Sequence, residues 1–300
     1  MKPIIRIGTR ASRLALIQAE TVRDMLEKAV PGLTVEVHHI KTEGDIDRNS
    51  PLTSFGGRGA FVRSIETALL DGRIDAAVHS LKDLPSGLPD GLVLGAVPVR
   101  EDIRDIVSTV LGCSFGELPE GAVVATGSDR RRLQLAKLRP DMTFTGIRGN
   151  VETRLSRLEP GVVDAVILAA AGMHRLGLVG KIDGYFEPED VLPAPCQGAI
   201  GVECRSGDLD TQALLSCIDN SEINTCVTAE RAFIATLGMG CHTPVACCAR
   251  WDGDSIVFMG YVCDEEREIT LTDRQDTAPG KSLTAAIDMA RRFESALGKH

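Results

Sequence analysis

Aromatic residues are scarce, at 4% of the 300 residues, with one Trp and two Tyr. Stacked aromatic platforms of the kind that hold single-stranded nucleic acid are therefore not expected. Basic residues are also in deficit, 33 Lys plus Arg against 42 Asp plus Glu, for a formal charge of −9. A non-specific nucleic-acid binder carries the opposite sign. No run approaches the roughly 20 apolar residues that span a bilayer. The opening MKPIIRIGTRASR interrupts its apolar residues with charges, unlike an export signal. Neither G-x-x-x-x-G-K-[ST] nor G-x-G-x-x-G occurs, so nucleotide phosphate cradles have no support. The nine cysteines form no CxxC pair and read as reduced thiols of a cytoplasmic protein.

What is present is the composition of a globular protein, 43% hydrophobic and 25% charged. The length suits two or three domains. Short apolar runs alternate with helical patterns through the first two-thirds of the chain. Ile4–Thr9, Val35–Lys41, Asp75–Ser80 and Leu92–Val97 read as strands, while Ser12–Val30 and Phe61–Leu70 read as helices. A second unit of the same grammar starts near Val123, with VVATGS, RRRLQLAKL, MTFTGI, NVETRLSRL and AVILAAAG in turn. Beyond Pro193 helices come first and strands cluster after them, the pattern of a separate α+β domain.

The two α/β units read as a diverged pair. Each has a helix, a glycine (Gly72, Gly161), an aspartate (Asp75, Asp164) and an apolar strand, and the openings IGTRASRLALIQ and VATGSDRRRLQL also correspond. Two such lobes joined by crossing segments would make a hinged cleft that grips a ligand at strand ends.

Both openings place Ser or Thr where a helix begins, an anion-binding position. Arg10 and Arg13 flank the first, Arg130, Arg131 and Arg132 the second, and Arg148, Arg154 and Arg175 follow later strands. In an acidic chain this density points to a polycarboxylate or phosphorylated ligand, because guanidinium suits bidentate oxyanions. The plain alternative is a solvated helix face with caps. Lys82 and Asp83 follow the strand AAVHS, where α/β folds place chemistry, although Lys-Asp-Leu-Pro is also an ordinary turn. Cys241 stands in LGMGCHTPV, a tight loop suited to exposing a thiol. A zinc reading would add His242, Cys247 and Cys248, but neighbouring strand residues face opposite sides, which disfavours it. His79, within an apolar strand, reads as a hydrogen-bonded core residue.

IRIGTRASRLALIQAE, KTEGD, GGRGAFVRSIETALLDGRIDAAVHSLKDLP, the REDIRD run, RRRLQLAKLRP, IRGNVETRL, AAAGMHRLGL, PAPCQGAIGVECR and AERAFIATLGMGCHTPV follow one another in register. In that order they closely resemble the porphobilinogen deaminase (hydroxymethylbilane synthase) family, from about Arg6 to Ala249. The last stretch of the chain matches only loosely.

The resemblance implies an α/β fold of two hinged lobes like type II periplasmic binding proteins, plus a smaller C-terminal α+β domain. Residues 1–98 with 199–216 would form the first lobe, 99–198 the second, and 217–300 the last domain. It also implies a transferase that joins four porphobilinogen molecules head to tail, releasing ammonia, on a covalent dipyrromethane primer. Hydrolysis then frees hydroxymethylbilane. Carried over by position, Cys241 would attach the cofactor and Asp83 would be the catalytic carboxylate. Lys82, Asp83, Ser128, Arg130, Arg131 and Arg148 would bind the cofactor. Arg10, Ser12, Arg148, Arg154, Arg175 and Gln197 would bind substrate, with Asp45 a weaker contact. No metal, nucleic acid or membrane is expected, and the family suggests a cytoplasmic monomer. Ser54 and Arg58 replace lysines usual in the glycine-rich loop, Arg63 replaces another, and Arg13 stands where proline is common. The rival class is a non-catalytic, hinged two-lobe anion-binding protein, which leaves the cysteine loop unexplained.

Overall fold

A computed structural model of the chain describes residues 3–40, 62–238 and 244–298. They fall into two compact units, 1–100 with 199–228 and 101–198 with 229–300.

In the first unit, β1 (Ile4–Thr9) leads into α1 (Arg13–Ala29), whose Ser12 cap accepts the Ala15 N–H. Gln18, Ala19, Val22 and Leu26 recur at helical spacing and are the buried face of α1. Ala19, Val22 and Leu26 pack on Ile5, Ile7, Ala76 and Val78 of the sheet. Strands β2 (Thr34–His39), β3 (Ala76–Ser80) and β4 (Leu92–Ala96), helix α2 (Arg63–Leu70) and the distant β10 (Ile200–Arg205) complete the sheet and its second cover. The strand order is β2-β1-β3-β10-β4. The first three are parallel, and β10 runs antiparallel to both its neighbours. Helix α2 covers the opposite face from α1 through Ile65, Ala68 and Leu69, against Ala77 and Leu92. Helix α6 (Leu209–Ser216) packs Leu214 and Leu215 into the α1 side. Gly95 makes room for it: a Cβ there would lie 2.6 Å from Leu215 Cδ1.

The second unit repeats this plan. It contains β5 (Asp105–Thr109), β6 (Val123–Ala125), α3 (Asp129–Leu138), β7 (Thr143–Thr145), α4 (Val151–Leu155), β8 (Ala165–Ala169), α5 (Ala170–Arg175) and β9 (Gly184–Phe186). The order is β7-β6-β8-β5-β9, again three parallel strands followed by an antiparallel fourth. In both sheets the fourth strand is distant in sequence from the strand it joins.

The same unit holds an antiparallel meander of β11 (Val245–Asp252), β12 (Ser255–Asp264) and β13 (Ile269–Thr277). One face receives α7 (Ser221–Leu237) and α8 (Ser282–Ala296), with Phe233 of α7 5.5 Å from Phe258 and 5.9 Å from Phe293 between ring centres. Gly260 permits the approach, since a Cβ there would stand 2.9 Å from the Phe233 ring. The other face packs Cys248, Val257, Met259 and Tyr261 on Leu192, Ile103 and Leu133. With both faces covered, β12 is buried along nearly its whole length, as its unbroken apolar run requires.

Four elements depart from the periodicity reading. The run AVILAAAG is apolar throughout, yet β8 stops at Ala169 and α5 begins at once. Short apolar runs carry no period that separates strand from helix. Strands β5 and β9 are too short and polar to stand out, and β13 continues through the polar TDRQDT because β12 pairs with it to Thr277.

Candidate active site

In the first unit, β1 and β3 run parallel, so Thr9 and Ser80 end at the same edge of the sheet. Crevices at the carboxyl edge are where sheets of this kind hold ligands. Beyond β1 come Arg10, half-buried, and Ser12 at the α1 N-terminus, whose Oγ lies 3.4 Å from the Ala15 N–H. Beyond β3 the chain makes one 3-10 turn, Leu81–Asp83. Leu81 is buried, Lys82 half-buried and Asp83 exposed. The turn is anchored from within the unit. The Leu81 N–H donates to Ala199 O at 3.0 Å, and Ser80 and Gln18 exchange side-chain bonds of 2.9 and 3.2 Å. Thr9 Oγ1 lies 3.3 Å from both Ala15 O and Val78 O, fastening the start of α1 to β3.

In the second unit, Ser128 occupies the N-cap of α3, and its side chain makes no capping bond. Gly127 allows the close turn, because a Cβ there would lie 2.7 Å from Ile147 O. Arg148 is exposed after β7, and Arg154 Nε donates to Gly149 O at 2.8 Å. Arg130 and Arg131 turn inward and are 6% exposed. Both pair with Asp105, Arg130 Nη1 at 2.8 Å and Arg131 Nη2 at 2.6 Å. Gln197, fully buried, donates its amide to the same carboxylate at 2.8 Å and to Ile103 O at 2.8 Å. Burial pushes the Asp105 carboxyl up, but the two guanidiniums outweigh it and hold it well below the usual range. Arg175 donates to Gly198 O at 2.7 Å, and burial lowers its pKa.

The structure thus gathers Arg130, Arg131 and Gln197 on one carboxylate that the sequence reading passed over. Asp105 lay within the REDIRD run that had been singled out. A single acid at the start of a short strand gave no further signal. Glu230 of α7 was missed in the same way. Fully buried, it accepts the Cys196 N–H at 2.5 Å and the Ala249 N–H at 2.7 Å. It thereby ties the segment before Gln197 and strand β11 to the helix that leads towards Cys241. Cys241, His242, Asp45, Ser54 and Arg58 lie outside the described residues. Cys247 Sγ points at Glu230 O, 3.8 Å away, while Cys248 belongs to the opposite face with Leu192, so the two do not converge on one ion.

The donor set suits a polycarboxylate. Arg131 Nε is buried with no acceptor among the described residues, and Ser128 is not spent on capping. A group bearing several carboxylates, as dipyrromethane does, fits such donors.

The family description "Porphobilinogen deaminase, dipyromethane cofactor binding domain" matches residues 5–213, and the C-terminal domain of the same family matches 224–294. The porphobilinogen deaminase of Roseiflexus sp. (strain RS-1) is 50% identical over 262 residues, covering 87% of this chain and 86% of its own. That of Syntrophobacter fumaroxidans is 44% identical over 286 residues, covering 95% and 93%. Among solved structures, the methionine binding protein MetQ is 13% identical with a TM-score of 0.44, over 74% of this chain and 92% of its own. A putative lipoprotein from Ruminococcus gnavus is 17% identical with a TM-score of 0.44, over 74% and 93%; both likenesses are too slight to argue from. The sequence relatives and both family matches agree: the chain belongs to the porphobilinogen deaminase family.

Proposed function

We propose that Asp83 is the catalytic carboxylate of this enzyme, that Cys241 attaches its cofactor, and that the flanking cations bind carboxylates of the growing chain. As a member of its family the enzyme condenses four porphobilinogen molecules head to tail with loss of ammonia, then releases hydroxymethylbilane. When bound, the dipyrromethane supplies the pyrrole carbon onto which the first substrate is joined.

One observation carries the assignment of Asp83: it is an exposed carboxylate on a braced turn at the carboxyl ends of the parallel strands β1 and β3, beside Lys82. Loss of ammonia leaves positive charge spread over the substrate's pyrrole ring and methylene carbon. A fixed carboxylate stabilises that charge as it develops, without reorganising. The same group accepts a proton released at the new ring junction. Being exposed, Asp83 can meet a substrate that arrives from solution.

Lys82, Ser128, Arg130, Arg131 and Arg148 are assigned to the cofactor's acetate and propionate groups. Arg10, Ser12, Arg148, Arg154, Arg175 and Gln197 are assigned to the substrate side. Arg130, Arg131 and Gln197 already share Asp105, which fixes their direction. Arg131 keeps a donor for a ligand in its buried Nε, which has no acceptor among the described residues. Residues 1–98 with 199–216, 99–198 and 217–300 act as three domains, the last presenting the cysteine loop. The protein works as a cytoplasmic monomer without nucleic acid or metal; among the described residues no helix is long and apolar enough to cross a membrane. Ammonia release from porphobilinogen, followed in the native enzyme and in Asp83→Asn, tests the central assignment. A solute receptor would release none.

A further inference from the structure

A buried carboxylate, a buried imidazole and a half-buried carboxylate lie in the first unit, on the α2 side of the sheet, and the reaction as described uses none of them. Glu203 of β10 is fully buried, and no described residue donates a hydrogen bond to either of its oxygens. His79 of β3 is 7% exposed, with Nε2 3.3 Å from Glu203 Oε2. Glu66 of α2 lies close enough to feel both. Burial and the charge of Glu203 push its carboxyl up, while His79 and Arg63 draw it down. Arg205 and Asp75, towards the other end of the same strands, are occupied with each other and with Arg6, Asp208, Leu69 O and Ile74 O.

A lone histidine–carboxylate pair in a core is an expensive way to fill space. Apolar side chains of similar volume commonly give equal or better stability. Its position offers a reason. Ala77, His79 and Leu81 follow one another at alternate positions, and His79 precedes Asp83 by one turn of chain. Gly201 is the cross-strand partner of His79, and a Cβ there would meet Leu81 Cδ1 at 2.7 Å. Leu81, the first residue of the turn, therefore lies over the bare backbone of β10, with His79 and Glu203 next along that face. On the opposite face Ser80 is held by Gln18. The end of β3 is flanked on both sides, by the Ser80–Gln18 hydrogen bonds on one and the close His79–Glu203 contact on the other.

We infer that His79 and Glu203 form a positioning pair, buried beneath the 3-10 turn, that sets the direction in which Asp83 leaves the sheet. The inference rests on the reading of Asp83 as the catalytic carboxylate. The pair never meets substrate. It acts through β3, by holding the strand end against β10 so that the carboxylate is presented without a search for its place. Misplacement of a reacting group by about an ångström costs up to roughly a hundredfold in rate.

The test uses His79→Gln, Glu203→Gln and the double variant in the full-length, cofactor-loaded enzyme, with Asp83→Asn alongside. Loading is read by intact mass, folding by thermal midpoint, and turnover as kcat and KM for porphobilinogen. Each single variant leaves one buried group without its counterpart. Each is expected to lower kcat by about tenfold or more at full loading, with KM within about twofold. The double variant, with two neutral amides able to bond each other, is expected to recover most of that loss. Unchanged kcat in both single variants beside an impaired Asp83→Asn overturns the positioning role alone. Losses that track only folded or loaded protein, without rescue in the double variant, reduce the pair to a structural one and also overturn it. Ordinary turnover in Asp83→Asn overturns the catalytic reading, and the inference falls with it. If His79→Gln does not fold, Glu203→Gln and the double variant decide the question by the same readouts.

Discussion

Asp75 and Asp164 make the same bonds in their separate sheets. Each carboxylate accepts the backbone N–H of a residue on the neighbouring strand, Arg6 at 3.0 Å and Val123 at 2.8 Å. Each backbone N–H returns a bond of 2.8 Å to that residue's carbonyl. The preceding glycines match too, Gly72 at φ +70° and Gly161 at φ +73°, a region in which side chains other than glycine's are strained. The pairing inferred from sequence thus extends to individual hydrogen bonds. The two aspartates differ in one respect: Asp75 also binds the guanidiniums of Arg6 and Arg205, whereas Asp164, among the described residues, adds the Gly161 N–H.

That difference sets an order of stability. Asp164→Asn keeps an acceptor oxygen and should cost about 1 kcal/mol. Asp75→Asn deprives two arginines of their charge partner and should cost about 3 kcal/mol. Urea midpoints of the two variants check the order; equal losses would mean that the arginines gain nothing from Asp75.

Purified active enzyme should be heavier than its polypeptide by two pyrrole units, and Cys241→Ser should show the bare chain mass. An intact-mass spectrum of active enzyme without the addition would remove Cys241 from its proposed role.

Asp83→Asn should fold with a normal thermal midpoint, because the side chain is exposed. It should lose about a hundredfold or more in kcat, since a neutral amide does not offset a developing cation. Steady-state kinetics on cofactor-loaded protein measure this directly.

The Asp105 network predicts a particular response to acid. Its carboxyl titrates below the ordinary value of 3.8 in the folded protein. Its stabilising effect is therefore present in full above that value. It fades as pH falls through the range below and is gone once the folded group itself protonates. At neutral pH Asp105→Asn should cost about 3–5 kcal/mol, because two buried arginines lose their counter-charge. The gap between native and variant stability should narrow as acid is added. A gap that widens in acid would contradict the sign.

Gly198 takes φ +85°, and a Cβ on it would lie 2.2 Å from Glu101 O. Gly198→Ala should lower stability by at least about 2 kcal/mol, from the strained φ and the clash together. It should also disturb Arg175, which donates to Gly198 O. Thermal denaturation beside substrate KM separates the two effects.

Much of the fold was legible because it rests on local periodicity. The buried face of α1 and the alternation of strands and helices in both units could be read from spacing. The arginines were legible as a group, since their density contradicts the chain's net charge. Their partner was not. Asp105 is one acid in a charged run, and only the folded sheet brings it to Arg130, Arg131 and Gln197. Glu230 and Glu203 were hidden for the same reason: a buried carboxylate in a helix or strand carries no mark in the sequence that separates it from a surface one. Strands β5 (DIVST) and β9 (GYF) open on polar or turn-forming residues, so neither stands out as an apolar run.

Because β10 enters the first sheet between β3 and β4, that sheet cannot close until the chain has been synthesised through Arg205. Throughout the making of the second lobe, the nascent protein therefore exposes the bare flank of β3, a row of backbone donors and acceptors open to wrong pairing. Premature termination anywhere before Ile200 thus releases an N-terminal half whose sheet stays split, rather than a smaller working protein.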